Sequence, residues 1–216
     1  MRDRVNDETV ERVVAAAAAA LEQGGVQYVL IGGVASSVLG RPRATDDIDV
    51  LVDPRDARRA LEALDAGGFA TEETDPHWIY KGTKDGLTVD VMFNIKGDVH
   101  VDEEMLAHAR RVPFAGREVP VAAPEDVIVI KALANDEPSS RHWYDALAII
   151  TAQELDWDYL LRRARHGAHR LLSLLVYAQS NDLIVPEQPI RALFDSIYGG
   201  GGTDGTSTRS RSSIAR

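Results

Sequence analysis

An α+β (mixed α/β) fold follows from three observations on the 216-residue chain. Two short apolar runs, "VQYVLIGG" and "IDVLV", have the length of strands and lie between segments of helical character. Two later pairs of such runs flank Asp85-Gly86 and Ala115-Gly116, the chemistry of hairpin turns. After Pro124 the pattern becomes helical. The expected organisation is a sheet-containing half over residues 1–123, a mostly helical region over 124–198 packed on it, and a disordered tail over 199–216.

Each element has its own signal. "NDETVERVVAAAAAALEQGG" opens with acidic residues, continues through strong helix formers and stops at Gly24-Gly25, which predicts a helix. Its polyalanine run predicts a closely packed face. "VQYVLIGG" predicts a short buried strand ending at a glycine turn, and "VASSVLG" a short helix closed by Gly40. "IDVLV" predicts a second strand, after which Pro54 opens the helix "PRDARRALEALDAGG". "HWIYKG" and "LTVDVMF" predict a hairpin through "TKDG"; "RVPFAGREVPVAA" predicts another. The run "VIVI" suits a strand by propensity. The Pro-Glu-Asp start and the following "KALAND" nevertheless predict a helix for "PEDVIVIKALAND". "SSRHWYDALAIITA", "WDYLLRRARHGAHRLLSLLVYAQS" and "PEQPIRALFDSIY" complete the helical region. From Gly199 the chain is rich in Gly, Ser and Thr and offers little to bury.

Composition narrows the function. The chain has no cysteine, which excludes disulfides, a thiolate nucleophile and a thiolate zinc site. No apolar run reaches the roughly 20 residues of a membrane span, and "MRDRVNDETVERVV" has no apolar signal core, so a cytoplasmic protein with no membrane partner is expected. The formal charge of −10 argues against broad adhesion to nucleic acid while leaving room for an acidic metal site. Neither G-x-x-x-x-G-K-[ST] nor G-x-G-x-x-G occurs.

The chemistry concentrates in "IGGVASSVLGRPRATDDIDVLV". Strand alternation points Asp47 and Asp49 to one side and Ile48 and Val50 to the other. Two adjacent anions resist burial unless a cation or proton settles them, and a hard divalent cation such as Mg²⁺ does so. Asp90, the lone charge of "LTVDVMF", completes a three-carboxylate cluster if its strand lies beside "IDVLV"; such a cluster could hold two ions. Gly32 and Gly33 let backbone N–H groups approach a triphosphate, with Ser36 as an added donor and Arg43 as a counter-charge. Asp46, one residue early, is expected to turn away.

Gly-Gly, a gap of thirteen residues, Asp-Ile-Asp and a later lone strand aspartate together resemble the signature of the polymerase-β-like nucleotidyltransferase superfamily. "RPRATDDIDVLV" with "PEDVIVIKALANDEPSSRHWYDALAI" is similar to AbiE-type nucleotidyltransferases, which include toxins of bacterial toxin–antitoxin pairs such as the mycobacterial MenT group. The likeness runs from about residue 26 to 150. It implies a polymerase-β-like core sheet, metal on Asp47, Asp49 and Asp90, and an NTP as substrate. Lys131 takes the place of a phosphate-contacting lysine, and Asp145 that of an aspartate that holds it. The alternative for this pair is a plain interhelical salt bridge. Thr45 takes a place where a hydroxyl residue is modified by an antitoxin in some toxins; otherwise it caps a turn.

The expected activity is Mg²⁺-dependent transfer of NMP to an acceptor hydroxyl, with the tRNA 3′ end as acceptor and a cognate antitoxin as partner. The alternatives are a small-molecule acceptor of aminoglycoside type, a protein hydroxyl, or a catalytically silent binding partner. The basic run "LLRRARHGAHRLL" could grip RNA if it borders the cleft, and its histidines have no metal-ligand partners.

Overall fold

The structure, a computed structural model, describes residues 7–42, 44–136 and 141–199. Helix α1 (Asp7–Gln23) buries Val13, Val14, Ala17, Ala18 and Leu21, the stripe that a helical period brings to one face. Its alanines serve the close packing expected of them. A Cβ on Gly24 would lie 2.6 Å from the Ala63 Cβ, and one on Gly67 would lie 2.7 Å from that of Ala20. Ala63 belongs to α3 (Ala57–Ala66), which follows a single 3₁₀ turn over Pro54–Asp56.

One seven-stranded mixed sheet organises the rest. Its strands are β1 (Tyr28–Leu30), β2 (Asp47–Val52), β3 (Ala70–Asp75), β4 (Ile79–Lys84), β5 (Leu87–Met92), β6 (Arg110–Phe114) and β7 (Arg117–Val121). They lie in the order β3-β4-β5-β2-β1-β7-β6. β2 runs antiparallel to β1 and parallel to β5. The β4–β5 and β6–β7 hairpins form where the turn residues place them, with positive φ at Asp85, Gly86, Ala115 and Gly116.

Three details differ from the sequence reading. β3, "ATEETD", is a polar and largely exposed edge strand with no apolar alternation to announce it. A short helix, α4 (Glu103–His108), forms because the Asp102 side chain accepts from the Met105 N–H at 2.8 Å. The long stretch "WDYLLRRARHGAHRLLSLLVYAQS" is broken into α7 (Trp157–Arg163), a 3₁₀ turn at Ala164–His166, and α8 (Ala168–Ser180). The break lies at Gly167, where a Cβ would meet Leu133 at 2.3 Å.

The remaining helices are α2 (Gly32–Leu39), α5 (Pro124–Ala134), α6 (Arg141–Ala152) and α9 (Glu187–Tyr198). Sheet and helices share one apolar core, from Val29 and Ile48 through Val89 and Val127 to Leu160 and Leu174. α5 is buried on every side, including Glu125, Asp126 and Lys131, so each of those charges must find a partner inside the protein. Among the described residues no helix is long and apolar enough to cross a membrane. The predicted tail, from residue 200 onward, lies outside the described residues.

Candidate active site

β2 and β5 are adjacent and parallel, with Asp49 directly opposite Asp90. Alternation then sends Ile48, Val50, Val89 and Val91 into the core, where all four are fully buried. The carboxylates of Asp47, Asp49 and Asp90 emerge together on the other face, and one oxygen from each lies within 4.8 Å of the others. An all-oxygen set of this size suits a hard divalent cation.

The glycine pair is built into this cluster. It is the first turn of α2 rather than a loop ahead of it. Gly32 has φ +62°, and a Cβ there would fall 1.6 Å from Asp49 Oδ2. The Gly33 N–H donates to that same oxygen at 3.3 Å, so in this arrangement it serves Asp49 rather than standing open to a phosphate. The start of α2 therefore presents its positive end to a carboxylate of the cluster.

Other expected residues fall variously. The Ser36 hydroxyl donates back to the Gly32 carbonyl at 2.7 Å; it is buried and does not line the cavity, because the helical turn uses it. Arg43 lies outside the described residues. The Thr45 hydroxyl lies 3.0 Å from both the Asp47 carboxylate and the Asp47 carbonyl, at the cavity wall. Asp46 also lines the cavity. It precedes β2 in a bend, so strand alternation does not turn it away.

The cluster opens into a cavity of about 590 Å³. Lys131 reaches it from α5, with its Nζ 3.0 Å from Asp145 Oδ2 on α6; both side chains are buried. Asp145 stands behind the lysine and does not itself line the cavity. Burial and the neighbouring Asp47 push Asp49 up to about 6, with Asp90 adding to the rise; the Gly33 N–H and Lys131 oppose it.

Four residues at the site carry no role in the sequence reading. Arg141 and His142 line the cavity one helical turn before Asp145, a placement that i, i+4 spacing could have indicated. The His142 Nδ1 is buried without a hydrogen-bond partner, and burial, then Lys131 and Arg141, hold its pKa below the ordinary histidine value. Trp78, partly exposed, forms an aromatic wall, with its indole N–H donating to Asp75. Lys81 contacts Asp90 at 2.6 Å.

The basic run of α7 and α8 does not border the cavity. Arg163 is fully buried, 2.6 Å from both Asp126 and Asp102. Arg162 pairs with Glu104 at 2.7 Å, and Arg165 with Asp102 at 2.9 Å and Glu104 at 3.2 Å. Arg170 donates to the Asn135 carbonyl, and His166 sits 2.9 Å from that of Gly97. None of these residues lines the cavity. They clamp α4, α5 and α7 together.

Solved structures share this architecture. The chain is similar to an antigenic nucleotidyltransferase-like protein from Paracoccidioides brasiliensis, at 17% identity, over 90% of this chain and 99% of that one, with a TM-score of 0.57. It is also similar to the antibiotic-resistance factor ANT(2'')-Ia in solution, at 14% identity, over 82% and 94% of the two chains, with a TM-score of 0.51. A crystal structure of ANT(2'')-Ia with adenylyl-2''-tobramycin gives 16% identity, 80% and 98% coverage and a TM-score of 0.50. At these identities the likeness speaks to the fold. A search of curated proteins finds no match. Residues 4–184 fit the profile of the family described as "Uncharacterised nucleotidyltransferase". With the polymerase-β-like signature standing where that match covers it, the chain belongs to this family and is a nucleotidyltransferase.

Proposed function

We propose that the protein is a Mg²⁺-dependent enzyme of AbiE type that transfers NMP from an NTP to an acceptor hydroxyl and releases pyrophosphate. One observation carries this reading: the Asp49–Asp90 register, which gathers three carboxylates within 4.8 Å beside the start of α2. Asp47, Asp49 and Asp90 would hold the cation. Bound there, it supplies Lewis-acid stabilisation of the reacting phosphate and lowers the pKa of the attacking hydroxyl.

The chain's own groups do the positioning. Lys131, held by Asp145, offers its ammonium to the polyphosphate, and Arg141 adds charge at the cavity wall. The acceptor oxygen attacks the α-phosphorus as the bond to the β-phosphate oxygen breaks. Asp90 would take the hydroxyl proton. The contact with Asp145 holds the buried Lys131 extended, so its role rests on both partners.

The AbiE likeness of the Lys131–Asp145 pair favours the tRNA 3′ end as acceptor, in a toxin restrained by an antitoxin that acts at Thr45. A second reading, a small polycationic acceptor of aminoglycoside type, is favoured by two observations. The arginines of α7 and the turn that follows it are paired with carboxylates of this chain, and Asp46 adds a fourth acid to the cavity. Incubation of the protein with each labelled NTP, Mg²⁺ and either total tRNA or an aminoglycoside panel separates them. Label on tRNA is expected. Label on a drug alone transfers the proposal to the second reading, and label on the protein points to a protein hydroxyl. No label with any acceptor leaves a silent binding partner.

A further inference from the structure

Lys81 stands in β4 directly opposite Asp90 in the hairpin register, and its Nζ lies 2.6 Å from Asp90 Oδ1. The Asp90 side chain is 12% exposed and that of Lys81 34%, so the contact is shielded on the carboxylate side and open on the ammonium side. Lys81 does not line the cavity. It backs Asp90 from outside, while Asp47 and Asp49 face the same carboxylate from within. Lys131, the cluster's other neighbouring ammonium, is held by Asp145.

We infer that Lys81 is a built-in counter-ion for the carboxylate cluster: it holds the three acids together before a cation arrives and weakens the cation's binding in the absence of nucleotide. The inference rests on the proposed metal role of Asp47, Asp49 and Asp90. Three neighbouring carboxylates repel one another, and an ammonium on one of them offsets part of that repulsion. The same ammonium repels a divalent cation across a few ångströms. A cluster neutralised in this way gives up little when empty and gains full affinity once triphosphate oxygens add their own negative charge. The cation and nucleotide then enter as a unit instead of the ion residing permanently. The flexible, solvent-facing stem of Lys81 lets the ammonium withdraw when the cation enters.

Lys81 is thus a positioning residue acting through Asp90, and the test needs a readout other than activity. Mn²⁺ binding to wild type, Lys81→Met and Lys81→Arg would be titrated calorimetrically without nucleotide, beside melting curves in chelator. Lys81→Met is expected to bind Mn²⁺ about tenfold tighter, as removing one repelling charge near a divalent ion predicts. It should also melt lower in chelator and show a larger stabilisation by Mn²⁺, while Lys81→Arg stays close to wild type. A lower melting point with unchanged or weaker Mn²⁺ affinity overturns the inference, since a cross-strand brace or a simple orienting contact would behave in that way. If wild type and Lys81→Met both fail to bind Mn²⁺ even with NTP present, the metal reading itself fails and takes this inference with it.

Discussion

Two acidic clusters occupy the same small protein and are treated in opposite ways. Asp102, Glu104 and Asp126 meet three arginines of α7 and the turn that follows it, and every carboxylate has a cationic partner. Around Asp47, Asp49 and Asp90, Lys81 contacts Asp90 and Lys131 stands near Asp49, and the cluster opens to a cavity. The first set is a closed ion-pair network that joins helices. The second faces an open cavity, where burial and then the neighbouring Asp47 push Asp49 upward in pKa to about 6. Burial lifts Asp126 equally inside the closed network, so it is the pairing and not the pKa that separates the two. A cluster of acids is a candidate ligand site when the fold supplies fewer counter-charges than acids and leaves it open to a cavity, and is architecture when every acid is paired inside.

Four experiments test that division, beginning with the largest effect. Asp49→Asn should lower nucleotidyl transfer by more than about a hundredfold, beyond the loss typical of disturbing a metal ligand's supporting partner. The variant should remain folded by circular dichroism. A large loss of stability with activity retained in the folded fraction would reverse the assignment of the two clusters.

Arg163→Met comes next and acts on stability. It leaves Asp126 and Asp102 without the guanidinium between them, and breaking a buried pair costs about 3–5 kcal/mol. Denaturant melts would register this. A cost below about 1 kcal/mol would mean that the closed network is not holding α4, α5 and α7.

The third is pH dependence without metal. Asp49 has its folded-state value raised to about 6, against about 4 for an unfolded aspartate, so between these values the native state binds more protons. Its contribution to stability is therefore best at low pH, falls as pH rises through that window, and is constant above it. In chelator at pH 7, Asp49→Asn should be more stable than wild type by about 1–2 kcal/mol, and the gap should close as pH falls towards 4. A gap independent of pH would mean that Asp49 is not the strained member of its cluster.

The smallest effect belongs to Arg165→Ala. Its pair with Asp102 is half exposed, so stability should change by less than about 1 kcal/mol, and the KM for tRNA should not move. A rise in KM confined to tRNA, with a shallower salt dependence, would return the arginine run to the role of RNA contact.

The unequal legibility of the two clusters has a physical basis. Asp47, Asp49 and Asp90 could be read from the sequence because strand alternation and a lone charge in an apolar run are local signals. Lys81 could have been found by the same means. A two-residue turn at Asp85-Gly86 pairs Lys84 with Leu87, and counting back places Lys81 against Asp90. The partners of the arginine run could not be read. Asp102 and Glu104 lie about 60 residues before Arg163, and no periodicity relates them. β3 was hidden for a different reason, since a polar edge strand has no buried face to impose alternation. Ser36 looked available as a donor because composition cannot show that its hydroxyl would turn back onto its own helix.

The close approach of Asp49 to Gly32 has a practical consequence. A methyl group there would occupy the position of an Asp49 oxygen, on a backbone turn that only glycine adopts without strain. Gly32→Ala would thus displace the Asp49 side chain from the cluster and strain the start of α2. A residue that looks like an ordinary turn glycine thereby fixes where one acid of the cluster can stand.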